Sequence, residues 1–526
     1  MRYGSGFIGT LFARVPGIFA GFAVALAAFI LYLITLAPTV LSRVAEEGLY
    51  DAGLFQVRAY VLSISHPTGY PIYLLLAKLF TYLPVGDVAY RVNLASAVFG
   101  AAAVFFVFVV CRQITGRVLP SVAAATLLAV SQTFWEQSVI AEVYTLHALF
   151  IALCISVLLL WRNTRKDRYL LLWAFLTGLA MTNHMTSGLL LLVGLLFVRL
   201  TERGKLSDRR LRLKGAGLFA LGLTPYLYLP IRSIVDPPFA AYDPDTPLKF
   251  LAFVSGIPFG QHMLAFGPVE LVGRMEMYRV YLSQQFHWFF VLVAVIGLMS
   301  LFHRDRPVFT LLGLLYAGWL LYALEYNIAD IWVYFVPTYL ILCVLVAPGI
   351  IALIEGTRLV LSTVTLSSTL RAAPKALVFV AFLALVLPLI GTNGTYLTAN
   401  YSDRYEARDT IEAIAENAEP GATVITDGSS MWYMKLVENR RTDLELVSPF
   451  LEDDLESDAE GRWLRFTKKH MTKDDKPVYI VASNGISGES LALLHEAGYQ
   501  LLPREGGAFY KVVHSPKAPD VNVKHA

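Results

Sequence analysis

Tyr70-Pro71-Ile72-Tyr73-Leu74-Leu75-Leu76-Ala77-Lys78-Leu79-Phe80-Thr81-Tyr82-Leu83 is an apolar run of 14 residues stopped by Pro84. Whether it crosses a membrane decides the side on which everything after it falls. The chain around it is built for a bilayer: of 526 residues, 56% are hydrophobic and only 16% charged, with mean hydropathy +0.57. A soluble domain of that size needs more charge on its surface. Crossing the hydrocarbon takes about 20 helical residues. The run 70–83 falls short and carries Lys78, so it reads as a helix lying in the interface.

Runs long enough to cross occur near 17–38, 91–111, 118–135, 143–161, 213–230, 286–302, 307–324, 330–353 and 375–392. The run 169–200 is interrupted by Thr182-Asn183-His184, which predicts two shorter spans joined by a polar turn and eleven spans in all. Bases are enriched in cytoplasmic loops. With 70–83 in the interface and a cytoplasmic N-terminus, one side collects Arg112, Arg117, Arg162, Arg165, Lys166, Arg168, the tract 205–214, Arg304, Arg306, Arg358 and Arg371. Were 70–83 to cross, every later loop would move together to the side opposite Arg2 and Arg14. Arg2 and Arg14 ahead of 17–38 resemble the charged end of a signal peptide, but the apolar run is too long for one and reads as a retained span.

The expected fold is thus a polytopic α-helical membrane protein with about 11 transmembrane helices over residues 1–400, its first external loop at about 39–90. Residues 401–526 change character. Helical patterns at 404–417, 432–438 and 490–497 alternate with β-rich runs at 422–426, 444–447, 478–482 and 509–513, which predicts a small extramembrane α/β domain. By the span count it is non-cytoplasmic. It holds no phosphate loop or nucleophile elbow. Cys111, Cys154 and Cys343 all lie in or at apolar runs, so this segment has no disulfide framework and no cysteine metal site. A net charge of +3 gives no concentrated basic face for nucleic acid.

The same topology gathers Glu46, Glu47, Asp51, Glu136, Glu142, Asn183, His184, Asp236, Glu325 and Asp330 at the non-cytoplasmic face. Ionisable groups cost roughly 2.5–3.5 kcal/mol each at a helix centre, so acids clustered where spans meet water are candidates for chemistry; solvated loop ends are the plain alternative. Asp51 begins an amphipathic helix with Tyr50, Leu54, Val57 and Val61 in one stripe and Arg58 about two turns on. It either favours the helix dipole or acts as general base on an acceptor hydroxyl. His66-Pro67-Thr68-Gly69-Tyr70-Pro71 is a tight turn, in which His66 is either merely exposed or positions the acid or a phosphate. Glu142 opens a span as a dipole partner, or serves as a second carboxylate, through a divalent ion or without one. Asn183 and His184 form a polar turn or contact a phosphate or sugar. Arg232 snorkels at the end of its span or pairs with a lipid-linked phosphate.

Asp51-Ala52-Gly53, fifteen residues before His66-Pro67-Thr68-Gly69-Tyr70-Pro71-Ile72-Tyr73, followed by Arg91-Val92-Asn93-Leu94-Ala95-Ser96, resembles a family of membrane proteins related to protein O-mannosyltransferases. The family pattern is Asp-Ser-Gly-Glu followed by His-Pro-Pro-Gly-Tyr-Pro-Leu. The resemblance continues through Tyr228-Leu229-Pro230-Ile231-Arg232, Asn327-Ile328-Ala329-Asp330 and the stretch beginning Pro420-Gly421-Ala422-Thr423. It implies a GT-C-like glycosyltransferase that moves a sugar, with mannose expected, from a polyprenyl-phosphate donor to a protein or glycan hydroxyl on the non-cytoplasmic face. By the same resemblance Asp51 is the catalytic carboxylate, acting as base on the acceptor or orienting it. His66, Tyr70, Asn183, His184, Arg232 and Asp330 then surround the donor phosphate or acceptor, and Glu142 or Glu47 is a second acid. A divalent cation (Mg or Mn) is left open, with Glu142 as its ligand. Two positions depart from the family: Leu54 stands where it has Glu, and Thr68 where it has a second Pro. A lipid-linked sugar transporter, with polar groups near the bilayer midplane on broken helices, and a non-catalytic scaffold, favoured by Leu54, are the competing readings. The expected location is a prokaryotic cell membrane.

Overall fold

The computed structural model describes residues 17–41, 51–362, 395–426, 428–449, 459–471, 476–482, 486–504 and 509–514. Glu46, Glu47 and the expected span at 375–392 lie outside the described residues. The chain runs from an apolar helix, α1 (Ile18–Ile34), into two short ones, α2 (Ala52–Val61) and α3 (Pro71–Phe80). α3 is the core of the 70–83 run. At ten residues it extends about 15 Å, half a hydrocarbon thickness, too short to cross by itself. Lys78 reaches back to the Tyr60 carbonyl at 2.5 Å and sits over the Tyr60 ring at 4.5 Å, so its charge is met by the end of α2.

The bundle continues with α4 (Val88–Thr115), α5 (Val118–Ala129), α6 (Gln132–Ser138), α7 (Tyr144–Thr164), α8 (Asp167–Met181), α9 (Gly188–Thr201), α10 (Arg209–Gly222) and α11 (Tyr228–Val235). After these come α12 (Pro247–Val254), α13 (Pro268–Gln285), α14 (Trp288–Arg304), α15 (Arg306–Leu324) and α16 (Val336–Ser362). Asp87 caps α4 through a 2.8 Å bond from the Tyr90 N–H, and Gly116 ends it at φ +66°, an N-cap and a left-handed stop. α4 packs against α1, α5, α7 and α16 and forms the buried centre. α10–α11 and α15 leave large apolar side chains such as Leu221, Ile234, Leu314 and Leu321 exposed, as a lipid-facing surface must.

Five described helices are long and apolar enough to cross: Val88–Thr115, Tyr144–Thr164, Arg209–Val235, Arg306–Leu324 and Ile331–Leu359. Two bent pairs bring the number to seven, α5 with α6 at 68° and α13 with α14 at 106°. Among the described residues the expected eleven is therefore not reached on length. The runs 17–38 and 169–200 give helices of only 14–17 residues, because the polar break after Met181 divides the second run. The bends are not written in hydropathy, which registers apolar length and not direction.

The C-terminal region, after α17 (Thr395–Ala399) and α18 (Glu406–Asn417), contains β1 (Thr423–Thr426), α19 (Ser430–Leu436), β2 (Glu445–Val447), α20 (Ala459–Met471), β3 (Val478–Val481), α21 (Gly488–Glu496), β4 (Tyr499–Pro503) and β5 (Phe509–His514). The sheet order is β2-β1-β3-β5-β4; β2, β1 and β3 run parallel, and β5 is antiparallel to both β3 and β4. The expected alternation of helix and strand is present, with β4 and α20 in addition. This region seats directly on the first loop. A Cβ at Gly53 would overlap the Leu41 carbonyl and the Ser429 hydroxyl, so only glycine permits that approach. Leu54 and Val57 pack with Ile411, Met431 and Met434. Arg408 ties the two regions together, holding Asp87 at 3.0 Å, the Thr39 hydroxyl at 3.1 Å and Glu438 at 2.5 Å.

Candidate active site

Asp51 is the residue before α2, yet its side chain makes no capping bond to the helix. Its Oδ2 instead lies 3.5 Å from His66 Nε2. The geometry is carried by what stands behind the imidazole. Buried Arg58 donates from Nη1 to Ser65 Oγ at 3.3 Å and from Nε to the Phe239 carbonyl at 3.3 Å. Ser65 Oγ, accepting from Arg58, has its proton left for His66 Nδ1 at 3.3 Å. That arrangement assigns the remaining ring proton to Nε2, which faces Asp51 and the Tyr70 hydroxyl at 3.0 Å. Burial lowers the His66 pKa, with Asp51 opposing and Arg58 assisting. His66 is thus a neutral donor pointed at a carboxylate.

Two further acids arrive from distant segments. Glu142 is held in the loop before α7: its peptide N–H donates to Ser96 Oγ at 3.1 Å, and Ser96 donates back to the Glu142 carbonyl at 3.3 Å. Its buried carboxylate accepts from the Val143 N–H at 3.3 Å. Asp330 lies just before the helix leading into α16. Burial, and then the charges of Asp51 and Asp330, push the Glu142 pKa well above the carboxylate range; burial, and then Asp51, push Asp330 up to about 6. The charge of Asp51 thus reaches both Glu142 and Asp330, acids that lie 91 and 279 positions further along the chain, and the three form one electrostatic site.

His184 forms the wall beside them. Its Nδ1 is 2.8 Å from Thr186 Oγ1, its ring stacks on His147 at 4.6 Å, and Tyr334, Tyr144 and Tyr70 surround it at 5.5–6.5 Å between ring centroids. Burial lowers its pKa to about 4, with His66 adding to the effect. A pocket opens here, lined by Thr68, Tyr70, His184, Tyr322, Tyr326 and Tyr334 among others. Tyrosines of this kind offer ring faces and hydroxyls together.

Of the residues expected from the sequence, Asp51, His66, Tyr70, Glu142, His184 and Asp330 are gathered at this end of the bundle. Asn183 stands behind it, its Nδ2 donating to the Val143 carbonyl at 3.1 Å, where it braces the Glu142 loop. Arg232 is engaged elsewhere: Nε donates to the Leu62 carbonyl at 2.6 Å and Nη2 to Val61 at 3.3 Å. With Lys78 it satisfies the carbonyls at the end of α2. Glu136 is bonded by Gln132 at 3.0 Å and Glu325 faces the Phe266 N–H. Leu54 turns toward the C-terminal region, so its departure from the family pattern removes no acid from this cluster. Among the described residues no three His, Cys, Asp or Glu side chains are grouped to hold a metal ion, so Glu142 is not part of such a ligand set there. Sequence reasoning gave no role to Arg58, Ser65 or His147. A histidine inside an apolar span was itself a signal.

A helical bundle with its acids at one end, two ten-residue helices beside them and a terminal α/β region is the GT-C fold. ArnT from Cupriavidus metallidurans, crystallised with undecaprenyl phosphate, superposes with a TM-score of 0.57 over 96% of this chain and 99% of that one at 14% identity. The Archaeoglobus fulgidus oligosaccharyltransferase in its apo form gives 0.54 over 88% and 69% at 12% identity. Residues 51–207 match the family described as the Protein O-mannosyl-transferase TMEM260 N-terminal domain. Protein O-mannosyl-transferase TMEM260 of Mus musculus is 34% identical over 194 residues, 35% of this chain and 27% of that protein. The Dictyostelium discoideum protein of the same name is 22% identical over 274 residues, 48% of this chain and 33% of that one. The matches thus span a third or less of these two relatives, both eukaryotic.

Proposed function

We propose that the protein is a membrane glycosyltransferase that moves a hexose, mannose by its relatives' names, from a polyprenyl-phosphate donor to a protein hydroxyl. The observation that carries the reading is the convergence of Asp51, Glu142 and Asp330 around the neutral donors His66 and His184. In the reaction the acceptor oxygen attacks the anomeric carbon as the bond from that carbon to the phosphate oxygen breaks. The electron pair leaves with the polyprenyl phosphate and the hydroxyl proton passes to Asp51. His66 Nε2–H aligns the Asp51 carboxylate for that transfer. Glu142, with its raised proton affinity, serves as a hydrogen-bond donor to sugar or acceptor, and Asp330, ionised above about pH 6, as an acceptor. The sugar lies over the tyrosine-lined wall, and His184 with the tyrosine hydroxyls meets the departing phosphate. The leaving phosphate is the group on which fixed dipoles have most effect.

The site faces the non-cytoplasmic side in this reading, with the N-terminus cytoplasmic, because the bases collect at the other end of the spans. A transporter would hold its polar groups near the midplane; these lie at helix ends. The test is transfer of labelled mannose from synthetic polyprenyl-phosphate mannose to a serine- and threonine-rich acceptor protein by the purified full chain. Acceptor labelling that depends on the protein is the expected result. Absence of labelling with every polyprenyl-phosphate hexose, while the lipid phosphate still binds, would favour a carrier.

A further inference from the structure

At the end of the bundle away from Asp51, α8, α9 and α10 enclose a second cavity of about 270 Å³. It is apolar along its walls, with Leu171, Trp173, Leu195, Ala216 and Phe219 among its lining, and it reaches Arg212 at its rim. Its origin lies in the sequence. α8 and α10 touch backbone to backbone at Gly178 and Gly222, where a Cβ would overlap the Phe219 and Phe175 carbonyls respectively, a small-residue contact of the kind membrane helices use. Two turns nearer the basic end, a Cβ at Gly215 would meet nothing within 4 Å, so the space between the helices is unfilled there. α10 opens with Arg209, Arg210, Arg212 and Lys214, all exposed and forming no ion pair among the described residues. Lys205, also at the rim, is already committed to Asp167 at 2.6 Å. Trp173 is 3% exposed, and its indole N–H has no hydrogen-bond partner.

We propose that this cavity holds one acyl chain of an anionic phospholipid, whose phosphate is bound by the unpaired bases of α10. Charge complementarity selects the occupant. Basic pockets between membrane helices recruit anionic head groups, each nearby base contributing on the order of 1 kcal/mol, and a buried indole N–H needs an acceptor, which a glycerol ester carbonyl supplies. A zwitterionic lipid offers the same chain but cancels the attraction at the head group.

The experiment is native mass spectrometry of the full chain, delipidated in detergent and then titrated with phosphatidylglycerol or phosphatidylcholine. The wild type should retain one phosphatidylglycerol with roughly tenfold preference over phosphatidylcholine. Ala216→Trp, which fills the cavity, should lose that lipid. Arg209→Gln with Arg212→Gln should abolish the preference. Leu195→Trp fills the cavity from α9 and replaces Ala216→Trp if that variant does not fold. Equal retention of both lipids by the wild type, or full retention of phosphatidylglycerol by a folded filled variant, would overturn the assignment. Displacement of phosphatidylglycerol by undecaprenyl phosphate at equal concentration would also overturn it and assign the groove to a donor-type lipid.

Discussion

Asp51 was legible as a candidate because an acid beside a hydrophobic span is rare, yet its sequence position equally suited a helix cap. The structure separates the two: the carboxylate makes no cap and lies against His66. Asp330 is informative in a second way. Its carboxyl is raised to about 6, against about 3.9 in an unfolded chain. Between those values the folded protein binds the proton and the unfolded chain does not, so this group's contribution to stability is fully present below pH 4 and lost as pH rises through 6. Glu142 acts with the same sign. Asp330→Asn has no proton to lose. Its thermal midpoint should rise above that of the wild type at pH 7.5, and the gain should shrink to nothing by pH 4. A pH-independent difference would mean that the carboxyl is not strained by its surroundings.

At the scale of elements, the shortness of α3 and the broken 169–200 run were readable from length and from Thr182-Asn183-His184. Arg232 was readable only in part. Its placement at a helix end followed from the sequence; its partners, the Val61 and Leu62 carbonyls about 170 residues earlier, did not, because backbone carbonyls leave no mark on composition. Those bonds make Arg232 a support for α2 and thereby for Asp51. Arg232→Gln should therefore lower thermal stability by about 1–3 kcal/mol, the cost of carbonyls left poorly paired, with the KM for the polyprenyl-phosphate sugar little changed. A large rise in that KM at unchanged stability would return Arg232 to the donor phosphate.

On the scale of the whole molecule, the fold class was legible because hydropathy and the distribution of bases are properties of long stretches. The convergence of residues 51, 142 and 330 was not, since it depends on which helix ends become neighbours. Nor was the seating of the C-terminal region on the first loop through Gly53, Leu54 and Arg408. That contact gives a structural reason for Leu54: an acid there would be half-buried against the apolar cluster that holds Ile411, Met431 and Met434, where charge is costly. The central claim is that this assembly makes Asp51 a base. Its most direct test is mannosyl transfer by Asp51→Asn in the assay above, with thermal unfolding as a check on the fold. The account predicts loss of about 10²–10⁴-fold in kcat with the donor still bound, and transfer at the wild-type rate by the folded variant would contradict it.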